Sequence, residues 1–143
     1  MAPIISHPNH PKLADLIGMT EARAWGETVA RGMALYRSGN LDWNDIHSIC
    51  ILCGPEGSGK YTLAKAVAAT CRLPLVTVGM PSVQAAEQSI IRATLSELGA
   101  AFELALKNAP CVLFMGRVDD ILLRSVPQHT PIFHGHGAAY LHV

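Results

Sequence analysis

Gly54-Pro55-Glu56-Gly57-Ser58-Gly59-Lys60 has the residue types and the spacing of a loop that holds phosphate. The pattern G-x-x-x-x-G-K works when it follows a strand and opens a helix. Its glycines let the backbone close around an anion without Cβ clashes. Consecutive N–H groups and the first turn of the helix then meet the oxygens. Lys60 adds a positive charge for the terminal phosphates. The next position should carry a small hydroxyl for a divalent cation. This chain has Tyr61 there, and a phenol stands too far from its own backbone to serve. Thr62 follows, about 100° further around a helix, and reaches a metal only if the first turn rearranges. It is the weaker metal-ligand candidate.

The loop needs elements on both sides. His47 to Cys53 is a near-continuous apolar run closed by Gly54-Pro55, which predicts a strand buried on both faces, as in a parallel sheet. A helix from Lys60 to about Cys71 follows, with Leu63, Val67 and the alanines inward. Leu73 to Val78 reads as a second strand. A helix from about Val83 to Lys107 carries Ile91, Leu95, Leu98 and Phe102 on one face. Cys111 to Met115 is a third buried strand. Upstream, the spacing of Trp25, Val29, Met33 and Tyr36 predicts a helix that starts at Thr20 and ends at Ser38-Gly39-Asn40. Thr20 is placed to cap it, and Glu21 suits its dipole. Strands alternating with helices predict an α/β layered fold built from crossover units.

At these residues the chain resembles the AAA ATPase family. Gly54 to Lys60, then Leu63-Ala64, is similar to that family's GPPGTGKT-x-LA loop. Ala100 to Pro110, then Cys111 to Met115, is similar to the helix and strand that lead into its second nucleotide-binding motif. Leu13 to Gly18, then Thr20 to Trp25, resembles the segment that cups the adenine. The likeness covers about residues 13 to 124 and is nearest to the ATPase modules of bacterial ATP-dependent zinc proteases. It implies a truncated P-loop NTPase, a three-layer α/β sandwich of AAA type with a short parallel sheet. It also implies ATP or ADP as ligand, Mg²⁺ as a cofactor still in question, and assembly with like or unlike AAA subunits. By resemblance, Gly54, Pro55, Glu56, Gly57, Ser58, Gly59, Lys60, Tyr61 and Thr62 line the phosphates, and Ile17 and Gly18 border the adenine.

The second motif of that family is four apolar residues and then Asp-Glu. The Asp holds Mg²⁺ through water and the Glu polarises the attacking water. Here Gly116 and Arg117 stand in those places. Asp119 matches a later acidic residue of the motif. Asp119 or Asp120 enters the site only if the strand slips by about three residues, an odd slip that turns its apolar run to the wrong face. The resemblance therefore implies weak or absent hydrolysis, since losing a general base costs roughly 10²–10⁴ in rate. Arg117 in a metal-free site is placed to pair with a γ-phosphate. The family's further strand with its polar sensor, its distal arginine and its helical lid find no room after Arg124, which implies a truncated module. Without that strand, the first and third strands must pair directly or leave backbone to be covered.

Composition narrows the rest. The 143 residues carry 11 basic and 11 acidic side chains, and no excess of either sign points to nucleic acid or an anionic membrane. Charged residues are 15%, against roughly 25% in an average domain, and half the chain is apolar, which excludes disorder over most of its length. No apolar run spans a bilayer. The start lacks a signal peptide's pattern, so a cytoplasmic protein is expected. The expected organisation is a flexible leader over 1–12, the AAA-type domain over 13–124 and a poorly ordered His-rich tail over 125–143.

Several other signals have plainer readings. Cys50-x-x-Cys53 has metal or redox spacing, but on a strand an odd separation sends the thiols to opposite faces. All four cysteines are expected as reduced core thiols. His129, His134, His136 and His142 include no pair four apart and no Glu follows Glu103, so no protease activity is expected. Met80 to Gln84 lies where the family threads substrate, without its aromatic–apolar–Gly signature. Arg92 and Arg124 read as solvated or ion-paired. Three functions remain: an ATP-binding AAA-type protein with feeble hydrolysis, a non-catalytic fragment docking on a full-length AAA ATPase, and a small P-loop kinase. The kinase needs an acceptor-binding acid near Thr77 to Met80, where none occurs.

Overall fold

Alternation of apolar side chains along three strands sorts the core into two sets. The computed structural model describes residues 2–79, 87–118 and 137–143, with backbone alone at 87–94 and 137–140. Its elements are β1 (Ile4–Ser6), α1 (Thr20–Arg37), β2 (Ile49–Gly54), α2 (Lys60–Cys71), β3 (Leu75–Gly79), α3 (Glu87–Lys107), β4 (Val112–Gly116) and β5 (Gly137–His142). Leu52, Leu75, Val112, Phe114 and Leu141 join Val29, Met33, Leu63 and Val67 in one apolar cluster. Val76, Val78, Leu113 and Met115 join Leu98, Ala101 and Ala105 in the other. The first cluster packs under α1 and α2, the second under α3. Helices on both faces of one sheet make the expected three-layer α/β sandwich.

The strand order is β1-β3-β4-β5-β2. Only β3 and β4 pair in parallel. β5 runs antiparallel to both β4 and β2. Hence β2, β3 and β4 share one direction, and their C-terminal ends lie at one edge. That is where ligands bind in open α/β sheets. Residues Met80 to Gln84, Asp119, Asp120, Arg124, His129, His134 and His136 lie outside the described residues, as does the side chain of Arg92.

α2 is buried almost all round, with Leu63, Ala64, Ala66, Val67 and Ala68 at 0% exposure. It lies between α1 and the sheet, and its alanines let both neighbours approach closely. α1 presents Gly26, Val29, Gly32 and Met33 to that interior.

Five expectations need correction. Residues 4–6, read as loose leader, pair with β3 through Ile4–Thr77, Ile5–Val76 and Ser6–Leu75. Residues 137–142, read as loose tail, form β5 and sit between β2 and β4, so the first and third expected strands do not pair directly. Leu141 is fully buried there, opposite Cys50 on one side and Phe114 on the other. β2 is not buried on both faces: Ile49 is 57% and Ile51 64% exposed, because among the described residues no helix covers that side of the sheet's end. Thr20 is the first helical residue of α1, and Met19, in the left-handed region, holds the cap position. On α3, Leu98 packs inward with Ala101 and Ala105, while Leu95 and Phe102 face out.

Candidate functional site

The loop between β2 and α2 takes its shape from two glycines. Gly57 has φ +80° and Gly59 has φ +90°, both in the left-handed region. The Ser58 N–H donates to the Pro55 carbonyl at 3.2 Å and closes a tight turn. At Gly59 an added Cβ would also meet Met19 Sδ at 3.3 Å. α2 begins there with no side-chain cap hydrogen bond. The first-turn N–H groups of a helix have no intrahelical acceptor, so this end suits an anion.

Lys60 completes the loop. Its Nζ donates to the Gly54 carbonyl at 2.7 Å, the Pro55 carbonyl at 2.9 Å and Ser58 Oγ at 3.3 Å. The ammonium thus lies over the loop's own oxygens, within reach of any phosphate the loop takes up. Glu56 and Ser58 are exposed on the rim.

A cleft of about 710 Å³ opens beside the loop, lined among others by Met19, Thr20, Trp25, Leu52, Cys53 and Lys60. Ile17 is 97% exposed and, with Gly18, stands outside this lining. From the residues that follow, Met19, Thr20, Glu21, Ala22 and Trp25 line the cleft. Gly18 (φ +76°) and Met19 (φ 48°), both left-handed, turn the chain into α1, and the sequence alone gives no sign of the left-handed Met19. Trp25 is fixed by its Nε1–H to the His47 carbonyl, 3.1 Å. Cys50, half-buried in the wall, has its thiol pushed up by burial and then by the neighbouring Cys53. Cys53, expected in the core, is exposed, because it lies on the uncovered face of β2.

The fit to a divalent cation fails. Tyr61 points its ring at Phe114 on β4, centroids 5.5 Å apart and planes tilted by 52°. Lys65 Nζ lies 5.1 Å above the same ring. Thr62 is half-buried on the next face of the helix. Gly116 ends β4 and offers no ligand, and Arg117 beyond it is exposed with φ +57°. Among the described residues no three His, Cys, Asp or Glu side chains converge as a metal group. His142 is half-buried in β5, where burial lowers its pKa.

The ATPase family associated with various cellular activities (AAA) matches residues 50–134. The chain is 31% identical over 112 residues to the ATP-dependent zinc metalloprotease FtsH of Haemophilus influenzae, covering 76% of this chain and 16% of the relative. It is 39% identical over 71 residues to a mitochondrial inner membrane m-AAA protease component of Mus musculus, covering 50% of this chain and 8% of the relative. It is 37% identical over 71 residues to the nuclear valosin-containing protein-like protein of Mus musculus, again 50% and 8%. The chain therefore spans less than a fifth of each relative's length.

Proposed function

Because this chain belongs to the AAA family of ATPases, we propose that it binds ATP at the loop from Gly54 to Thr62 and hydrolyses it weakly or not at all. The carrying observation is Lys60. Its ammonium is held over the phosphate loop by two carbonyls at 2.7 and 2.9 Å, beside the uncapped start of α2. Loop amides and the helix end would take the β- and γ-phosphates, and Lys60 would move from the carbonyls to the oxygens. The cleft edged by Met19, Thr20 and Trp25 would take the base. Tyr61, Gly116 and Arg117 stand where the family places ligands for metal and water. The loss of the water-activating acid supports the reading of weak hydrolysis. Asp119, the remaining acidic candidate, adds no second route in this reading. A cytoplasmic location and assembly with like or unlike AAA subunits accompany it. Among the described residues no helix is long and apolar enough to cross a membrane.

Isothermal titration of ATP into the full chain and into Lys60→Ala tests the reading. The expected result is saturable binding that weakens by about tenfold or more in the variant, as losing a charge-assisted contact to phosphate implies. Binding that ignores Lys60 in a folded variant would overturn it.

A second reading has its own observation. Ile49, Ile51, Leu95, Phe102 and Leu106 are large apolar side chains left 45–78% exposed on the side of the sheet that carries α3. That surface favours a non-catalytic fragment docking on a full-length AAA ATPase, and nucleotide-independent co-sedimentation with such a subunit would separate the two.

A further inference from the structure

Resting on the nucleotide-binding reading above, we propose that this site takes a nucleoside triphosphate without a divalent cation, because Tyr61 replaces the small hydroxyl ligand and its ring is held away on Phe114, while Gly116 offers no ligand at the end of β4. A cation at a phosphate loop needs the small hydroxyl that follows the lysine. Here that position projects an aromatic ring across the gap between α2 and β4. Phe114 backs the ring at 5.5 Å and Lys65 covers it with an ammonium at 5.1 Å. Both contacts favour the ring's present place: tilted aromatic pairs and cations over ring faces attract. A metal entering beside the ring would meet the positive charge of Lys65, and at the end of β4 it would meet Arg117. Like charges at such range oppose binding.

Gly116 withdraws the other ligand. It is the last residue of β4 and has no side chain, in the position where the strand would present a carboxylate. The surroundings do not require glycine. An added Cβ would meet Phe114 Cε1 at 3.5 Å, an ordinary contact. The two ligand positions are thus lost by independent means, one to a phenol packed on Phe114 and one to a residue without a side chain. A metal-free triphosphate carries more negative charge than its metal complex. Lys60 and the start of α2 supply opposing charge on the loop side, and Arg117 supplies it on the β4 side.

The test is ATP titration of the full chain in EDTA and in excess Mg²⁺, with wild type, Lys60→Ala and the double variant Tyr61→Thr/Gly116→Asp. Wild-type affinities in the two buffers should agree within about twofold. The double variant should bind at least about tenfold more tightly with Mg²⁺ than in EDTA. Lys60-dependent wild-type binding that falls about tenfold or more in EDTA would overturn this inference alone. A folded double variant as indifferent to Mg²⁺ as the wild type would remove Tyr61 and Gly116 as the cause and overturn it too. Should the double variant not fold, Tyr61→Thr alone is read by the same criterion. Absence of binding in both buffers, or binding indifferent to Lys60→Ala, overturns the nucleotide reading and this one with it.

Discussion

Replacing Gly26 by alanine should destabilise the protein, while the same change six residues on, at Gly32, should stabilise it. Both glycines lie on the buried face of α1. Alanine is better than glycine inside a helix by roughly 1 kcal/mol. At Gly26 that gain meets a collision. The new Cβ would stand 2.9 and 3.2 Å from the two Cδ atoms of Leu13 and 3.1 Å from Val67 Cγ2. Leu13 is 2% and Val67 0% exposed, so neither has space to yield. Leu13 is also tied by its N–H to Thr70 Oγ1 at 3.0 Å. Overpacking of this kind costs about 1–3 kcal/mol, so the net loss is about 0–2 kcal/mol. At Gly32 the Cβ would touch Ile46 at 3.4 Å, close to ordinary contact, and most of the helix gain survives. The two variants should therefore differ by about 1–3 kcal/mol. At this chain length that is roughly 3–10 °C in Tm. Thermal unfolding followed by circular dichroism reads the difference. In a Leu13→Ala background the cost of Gly26→Ala should shrink, leaving only the contact with Val67, a coupling between touching side chains. A Gly26→Ala protein as stable as Gly32→Ala would refute the packing argument.

Three further predictions concern the thiols. Iodoacetamide should label Cys53 in the native protein and reach Cys71 and Cys111 only on unfolding, since Cys53 is exposed and the others are buried. Saturating ATP should slow Cys53 labelling, because Cys53 lines the same cleft as Lys60; peptide mass spectrometry reads both. Burial pushes the Cys71 thiol from 9.0 up to about 11, with Arg37 opposing. Between those values the unfolded chain ionises and the folded one does not. Stability should therefore be lost as pH rises from about 9 to about 11, by at most about 2–3 kcal/mol, and Cys71→Ala should flatten the slope in urea titrations.

The glycine-rich turn between β2 and α2, and the helix behind it, were legible because two local signals coincide there. Glycines at fixed offsets sit between an apolar run and a helical run, and Lys60 follows them at the one useful spacing. β3 and β4 were legible as short apolar runs. What escaped was decided by pairing. Ile4–Ser6 is too short to show a period, and only the open side of β3 makes it a strand. Gly137-Ala138-Ala139 carries little apolar bulk, and β5 exists because backbones on both sides accept it. The apolar run of β2 cannot report whether a helix will lie above Ile49 and Ile51. On α3 two apolar stripes lie side by side, and the helical period alone does not say which one faces the sheet. The border of the cleft moved by two residues, from Ile17 and Gly18 to Met19 and Thr20, because two left-handed residues swing the chain there.

The place of β5 also sets a timetable for synthesis. β2 is complete at Gly54, yet its sheet partner among the described residues begins at Gly137. A ribosome working at roughly 5–20 residues per second needs roughly 4–16 s to cover that interval. In that time α2, β3, α3 and β4 emerge and can associate, while β2 has no neighbour to complete its hydrogen bonds. The segment that carries Lys60 is thus made early and anchored late. A nascent chain halted before residue 137 would hold the Gly54–Lys60 loop on an unsupported strand, with Ile49 and Ile51 open to chaperones.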